Sequence, residues 1–303
     1  MDNSMLLVSP SPHVRAKHST TSIMLDVVIA LVPAIIAATV LFGVRSLLVV
    51  AFSVVCCVAA EWAFEKICKR DVTVKDLSAV VTGVLLGLNL PVSIPLWQVA
   101  VGAVVAIVVV KQLFGGIGCN FANPAITARI VMVISFAGSM SDFNYKGAND
   151  AVSSATPLGG GEMPSLIDLF LGKHGGCIGE TCALALIIGG VYLVARKVIT
   201  WHIPVTFIAT VFAFSWLLGE NPVQHILTGG LMLGAIFMAT DYSTSPSTKW
   251  GKVIFGVGCG VITVLIRVFG NYPEGVSFAI LFMNILTPYI SSLTKKKVFG
   301  GAK

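Results

Sequence analysis

Apolar residues along this chain come in long blocks, at neither the spacing of an amphipathic helix nor that of an alternating strand. Ten blocks run over residues 23–43, 46–66, 77–90, 96–114, 124–138, 181–195, 203–219, 223–239, 252–269 and 275–293. A run of ~18 or more apolar residues can cross a bilayer as a helix, because a helix satisfies its own backbone groups where lipid offers no partner. Membrane β-barrels would alternate apolar and polar positions instead. The pattern predicts an all-α membrane protein of about ten transmembrane helices. The third, fifth and eighth blocks are short for a full crossing, so tilted, broken or bundle-packed helices are expected there.

Composition sharpens this picture. The chain is 56% hydrophobic and 11% charged, whereas a soluble domain carries about 25% charged residues. Residues 1–22 hold Pro10, Pro12, Arg15 and Lys17 without an apolar core, and read as a polar cytoplasmic arm rather than a cleavable signal. With that arm inside, sixteen of the 20 Lys and Arg residues fall on the cytoplasmic side, and only Arg45, Lys146, Lys173 and Arg267 fall outside. The positive-inside rule therefore predicts a multi-pass protein of the cell membrane with both termini cytoplasmic and an extracytoplasmic loop at 139–180. The net charge of +6 is spread over these loops, so it reflects topology and does not indicate nucleic acid.

The two halves of the sequence echo each other. Thr82-Gly83-Val84-Leu85-Leu86-Gly87 resembles Thr228-Gly229-Gly230-Leu231-Met232-Leu233-Gly234, and a Trp follows each (Trp97, Trp250). The spans after them end in Lys111-Gln112-Leu113-Phe114-Gly115 and Arg267-Val268-Phe269-Gly270. Five spans per half would make two inverted five-helix repeats, 23–138 and 181–303, an architecture met in transporters. On these grounds a channel or secondary transporter for a small solute is the alternative to any redox function.

Three polar stretches carry candidate chemistry. The first is Asp150-Ala151-Val152-Ser153-Ser154-Ala155-Thr156, in the extracytoplasmic loop. Small neighbours leave the Thr156 hydroxyl open to a modifying enzyme, although a Ser/Ala-rich loop is also ordinary helix-capping sequence. The second, Gly115-Gly116-Ile117-Gly118-Cys119-Asn120-Phe121-Ala122-Asn123-Pro124, suits close backbone approach to a ligand or a tight interhelical turn, with Pro124 at a helix start. It lacks the Gly-Lys-Ser/Thr ending of a phosphate-binding loop. The third runs from Met238 through Asp241 and Thr244 to Pro246; Asp241 there suits a helix cap, with ligand or ion contact as the alternative. Asp26, Glu61, Arg129, His225 and Arg267 fall mostly near span ends, where charged groups snorkel, and His225 reads as a packed residue. The seven cysteines match neither zinc nor iron–sulfur spacing and read mainly as small packing residues.

Together and in this order on ten spans, these stretches resemble the family that holds the D subunit of the Rnf ion-translocating oxidoreductase and the B subunit of the sodium-pumping NADH:quinone reductase. The likeness covers essentially the whole chain, including the Ser9-Pro10-Ser11-Pro12-His13 arm. Ser154 stands where many members carry glycine. The resemblance implies a subunit of a ferredoxin:NAD oxidoreductase that couples electron flow to Na⁺ or H⁺ movement. It implies FMN joined through its phosphate to Thr156 by a flavin transferase, with Asp150, Ser153, Ser154 and Ala155 forming the attachment motif. Some relatives also hold a noncovalent riboflavin, for which Asn120, Asn123, Asp241 and Thr244 are the candidate contacts. The implied partners are a second flavoprotein subunit, membrane subunits and iron–sulfur subunits.

Overall fold

The computed structural model describes residues 19–143, 165–172, 174–270 and 275–295, and among these the regular structure is entirely helical. Helix α1, Thr20–Phe42, starts at Ser19, whose hydroxyl accepts from the Ser22 N–H at 3.2 Å. It ends at Gly43, which turns directly into α2, Val44–Ile67. Twenty-three residues rise about 35 Å, enough to pass the ~30 Å of a bilayer's hydrocarbon. These two helices, with α12 (Lys249–Phe269) and α13 (Gly275–Leu293), are the four described helices long and apolar enough to cross a membrane.

The remaining blocks form shorter or interrupted helices. They are α3 (Ser78–Leu88), α4 (Leu96–Val104), α5 (Pro124–Ser135), α8 (Ala183–Ala195) and α9 (His202–Leu217). Two small helices, α6 (Ala137–Met140) and α7 (Leu166–Leu171), flank the long loop. Helix α4 widens into a π-helical stretch over Val105–Gln112. The eighth block is broken, as its length suggested: α10 (Pro222–Leu227) stops, and α11 (Leu231–Leu233) resumes and widens into a π-helical Gly234–Met238. Between them Gly229 and Gly230 take φ of 65° and 70°, left-handed values that glycine adopts without strain.

The two related motifs therefore differ locally, since Thr82 lies within α3 whereas Thr228 sits at the break. Both threonines hydrogen-bond back one turn, to Ser78 O at 3.0 Å and Gln224 O at 2.6 Å. Helix α2 packs on α3 and α4, α9 and α13 pack on α12, and α1–α8 and α5–α13 join the two halves.

The outer surface is apolar, with Val40, Trp216 and Ile134 each at least 70% exposed, and the polar groups lie within the bundle. Lipid gives no hydrophobic drive to helix association, so close packing and interior hydrogen bonds hold such a bundle together. The starts of α1 and α3 and the segments after α4, α8 and α11 meet at one end, around a shared cavity, and Arg70, after α2, donates to Gln112 O at 3.1 Å at the same end. The 43–45, 91–95 and 140–143 turns meet at the other, where Arg45 donates to Val92 O at 2.9 Å and Ser93 Oγ donates to Asp142 O at 2.7 Å.

Candidate functional site

The second and third polar stretches meet at the first of these ends, each directly after a π-helical stretch. Gly115, Gly116 and Gly118 adopt φ of 122°, 96° and 80°, which lets the chain double back after Gln112. Asn123 caps α5: its Oδ1 accepts from Ala125 N at 3.0 Å and Ile126 N at 3.3 Å, and Pro124 fills the first helical position. Asn123 Nδ2 donates to Met238 O at 3.2 Å, which ties the cap to the end of the second π-helical stretch. With its amide oriented so that nitrogen faces the carbonyl and oxygen faces the N–H, Asn284 of α13 completes the lock, donating to Thr244 O at 3.2 Å and accepting from Asn123 N at 3.1 Å.

Asp241 is the centre of this arrangement. Its Oδ2 accepts from Thr244 Oγ1 at 3.0 Å and Asn120 Nδ2 at 3.3 Å, and Ser243 Oγ lies 3.0 Å away. Ser243 Oγ also lies 2.8 Å from Asn120 Oδ1, so the two stretches are joined side chain to side chain. The expectation that Asp241 caps a helix is corrected here. Thr248 caps α12 by accepting from Gly251 N at 3.1 Å, and Asp241 faces the turn between the stretches. Desolvation pushes the Asp241 carboxyl above the ordinary carboxylate range, against the hydrogen bonds from Ser243, Thr244 and Asn120.

These groups open on a cavity of about 230 Å³. Asn120, Asn123, Asp241 and Ser243 supply polar lining, while Leu85, Ile199 and Phe237 supply apolar walls. Thr244 stands behind the lining, buried and bonded to Asp241. Of the residues singled out from sequence, Asn120, Asn123, Asp241 and Thr244 are thus brought together. Asp150, Ser153, Ser154, Ala155 and Thr156 lie outside the described residues.

The ionisable groups expected to snorkel at span ends are buried instead, which corrects that expectation. Glu61 is fully buried, and its Oε1 takes Lys111 Nζ at 2.5 Å and Gln112 Nε2 at 2.7 Å. Lys111 also reaches Ser78 Oγ at 2.6 Å on the cavity wall. The π-helical turn brings this about by rotating the last residues of α4 toward α2. Arg129 Nη1 pairs with Glu180 Oε1 and donates to Asn89 Oδ1 at 2.6 Å. Asp26, also buried, accepts from Tyr192 Oη at 2.9 Å and Arg196 at 3.3 Å.

Glu180 belongs to the end of the loop expected to lie outside, yet that end is buried. Ile178 N and Gly179 N donate to Leu90 O at 3.0 Å and Leu88 O at 2.7 Å, seating the segment against the end of α3. Sequence reading passed over Lys111, Gln112, Ser243 and Glu180 as site or core-network residues. Two signals were available: the Lys-Gln pair closing an apolar block, and a single acid set in Gly175-Gly176-Cys177-Ile178-Gly179-Glu180.

The chain matches the NQR2, RnfD, RnfE family over residues 7–300. It is a member of that family. Among its relatives is the D subunit of the Na⁺-translocating ferredoxin:NAD⁺ oxidoreductase complex of Acetobacterium woodii, 50% identical over all of this chain and 98% of the relative. The D subunit of the proton-translocating ferredoxin:NAD⁺ oxidoreductase complex of Clostridium ljungdahlii is 40% identical over 97% of this chain and 96% of its own length. The D subunit of an ion-translocating oxidoreductase complex from Marinobacter nauticus is 36% identical over 98% and 96% of the two chains. The family assignment agrees with the resemblance drawn from the three polar stretches, two of which form the cavity just described.

Proposed function

We propose that this protein is the D subunit of an ion-translocating ferredoxin:NAD oxidoreductase and carries FMN on Thr156 as an electron relay. The observation that carries this reading is the full-length 50% identity to a subunit of that name, with both chains covered almost end to end. The Asp150–Thr156 motif supports the covalent flavin. A flavin takes or gives one or two electrons, and the protein sets its position and surroundings. The other members of such a complex would be iron–sulfur, flavoprotein and membrane subunits.

The cavity beside Asp241 suits a second, noncovalent flavin. Its apolar walls would cover the ring faces, and Asn120, Asn123 and Asp241 would meet the polar ring edge. Its size lies just under the ~300 Å³ at which small-molecule pockets begin, which favours a ring system entering with its polar tail outside. Asp241, whose Oδ2 already accepts from Asn120 and Thr244, would offer its carboxylate as an acceptor at that edge.

Topology forms part of the same proposal: two inverted five-helix repeats, both termini cytoplasmic, and Thr156 on the outer face. It is supported by the contacts of Arg70 with Gln112, Arg196 with Asp26 and Lys252 with Thr200, and by the pairing of α1 with α8 and α5 with α13 across the halves.

The test is in-gel ultraviolet fluorescence of the denatured chain, expressed with a flavin transferase, beside Thr156→Ala. We expect a fluorescent wild-type band and a dark variant. A dark wild type, with the transferase active on another substrate, would overturn the flavin relay and favour a transporter on the same scaffold.

A further inference from the structure

The break between α10 and α11 holds a charge that neither the family nor the flavin reading explains. Arg267, in the last turn of α12, is only 7% exposed, and its guanidinium turns inward to the break. Nη1 donates to His225 O at 2.5 Å. Nη2 donates to Thr228 O at 3.1 Å and Gly229 O at 3.0 Å. All three acceptors are main-chain carbonyls at the end of a helical segment, where intrahelical donors run out.

This differs from the other buried cations. Lys111 meets a carboxylate at 2.5 Å, and Arg129 pairs directly with Glu180. Among the described residues, no carboxylate lies within ion-pair distance of Arg267. The carboxylate of Glu180, itself paired with Arg129, stands beside the break, where it would lie 2.5 Å from a Cβ placed on Gly230. The break thus offers three converging carbonyl oxygens, with the Arg129-paired Glu180 carboxylate beside Gly230. In broken-helix transporters, unwound carbonyls of this kind coordinate monovalent cations.

We propose that the break is a monovalent-cation site filled by the protein's own side chain, so that the Arg267 guanidinium seals it against free cations. The left-handed Gly229 and Gly230 shape the cage, and α12 delivers the guanidinium from outside the broken segment. The proposal does not depend on the flavin reading, because it concerns only the carbonyl cage and the residue within it.

Arg267→Ala should open the cage. The probes are sodium and guanidinium at millimolar concentration, with choline as the ionic-strength control, on the purified full-length chain in detergent. The melting temperature of Arg267→Ala should rise saturably with sodium or guanidinium, by about 3 °C or more at ~10 times the dissociation constant. Wild type and Arg267→Lys should respond no differently to these salts than to choline. In proteoliposomes, Arg267→Ala should admit Na⁺ roughly tenfold faster than wild type, and guanidinium should slow that entry.

An Arg267→Ala chain with the same response to sodium, guanidinium and choline overturns the proposal, as does Na⁺ entry at the wild-type rate. A variant that does not fold in choline is read by rescue. Recovery of the monodisperse chain in guanidinium supports the cage, and failure in both overturns it.

Discussion

Arg129 and Glu180 face each other deep in the bundle, with both side chains 5% exposed. The desolvation cost of such a pair offsets most of its attraction, but removing one partner leaves the other charge stranded, a loss of about 3–5 kcal/mol. Glu180→Gln is therefore expected to destabilise the chain by about that amount, read as a lower melting temperature in detergent. Arg129→Met combined with Glu180→Met should recover part of the loss, because the double change strands no charge. Additive losses in the double variant would show that the pair does not act as a unit. Asp241 is a different kind of acid: it is half-buried, its partners are an amide and two hydroxyls, and desolvation raises its proton affinity.

The interrupted elements matter more to the interior than the long ones. The π-helical stretches Val105–Gln112 and Gly234–Met238 each lead into a polar stretch of the cavity, and the first also aims Lys111 and Gln112 at Glu61. The glycine break does comparable work between α10 and α11. At Gly230 a side chain meets both a left-handed backbone and the Glu180 carboxylate at 2.5 Å, whereas Gly219, with φ of 82°, has nothing within 4 Å. Gly219→Ala should therefore cost only the backbone term, about 1 kcal/mol, and Gly230→Ala distinctly more. Thermal unfolding of the two variants side by side checks this; equal losses would mean that Glu180 yields freely.

At the scale of the whole molecule, the cavity end carries Lys111 and the turn after α8, which the charge pattern assigns to the cytoplasm, and Arg70 donates to Gln112 O at 3.1 Å there. Cys68 and Cys119 are exposed on the segments after α2 and α4, while Cys57, Cys177 and Cys259 are buried. A membrane-impermeant maleimide should label the chain in inside-out vesicles and leave it unlabelled in right-side-out ones. Labelling only in right-side-out vesicles would reverse the proposed topology.

Much of this architecture is legible along the chain, because crossing a bilayer is a local demand on consecutive residues. The helical class, the apolar blocks, the short third and fifth helices and the interruption in the eighth all follow from it, as does the Asn123-Pro124 helix start. The two polar stretches of the cavity could also be picked out, since polar and glycine-rich segments stand out against apolar blocks. Their meeting could not: Asn120 and Asp241 are 121 residues apart, and Arg129 and Glu180 are 51 apart. Such contacts depend on how each helix is rotated, and one residue turns a helix by about 100°, so a single π-helical turn redirects everything after it. For the same reason Glu61, Arg129 and Arg267 read as groups at span ends, and only the packed bundle turns them inward onto partners.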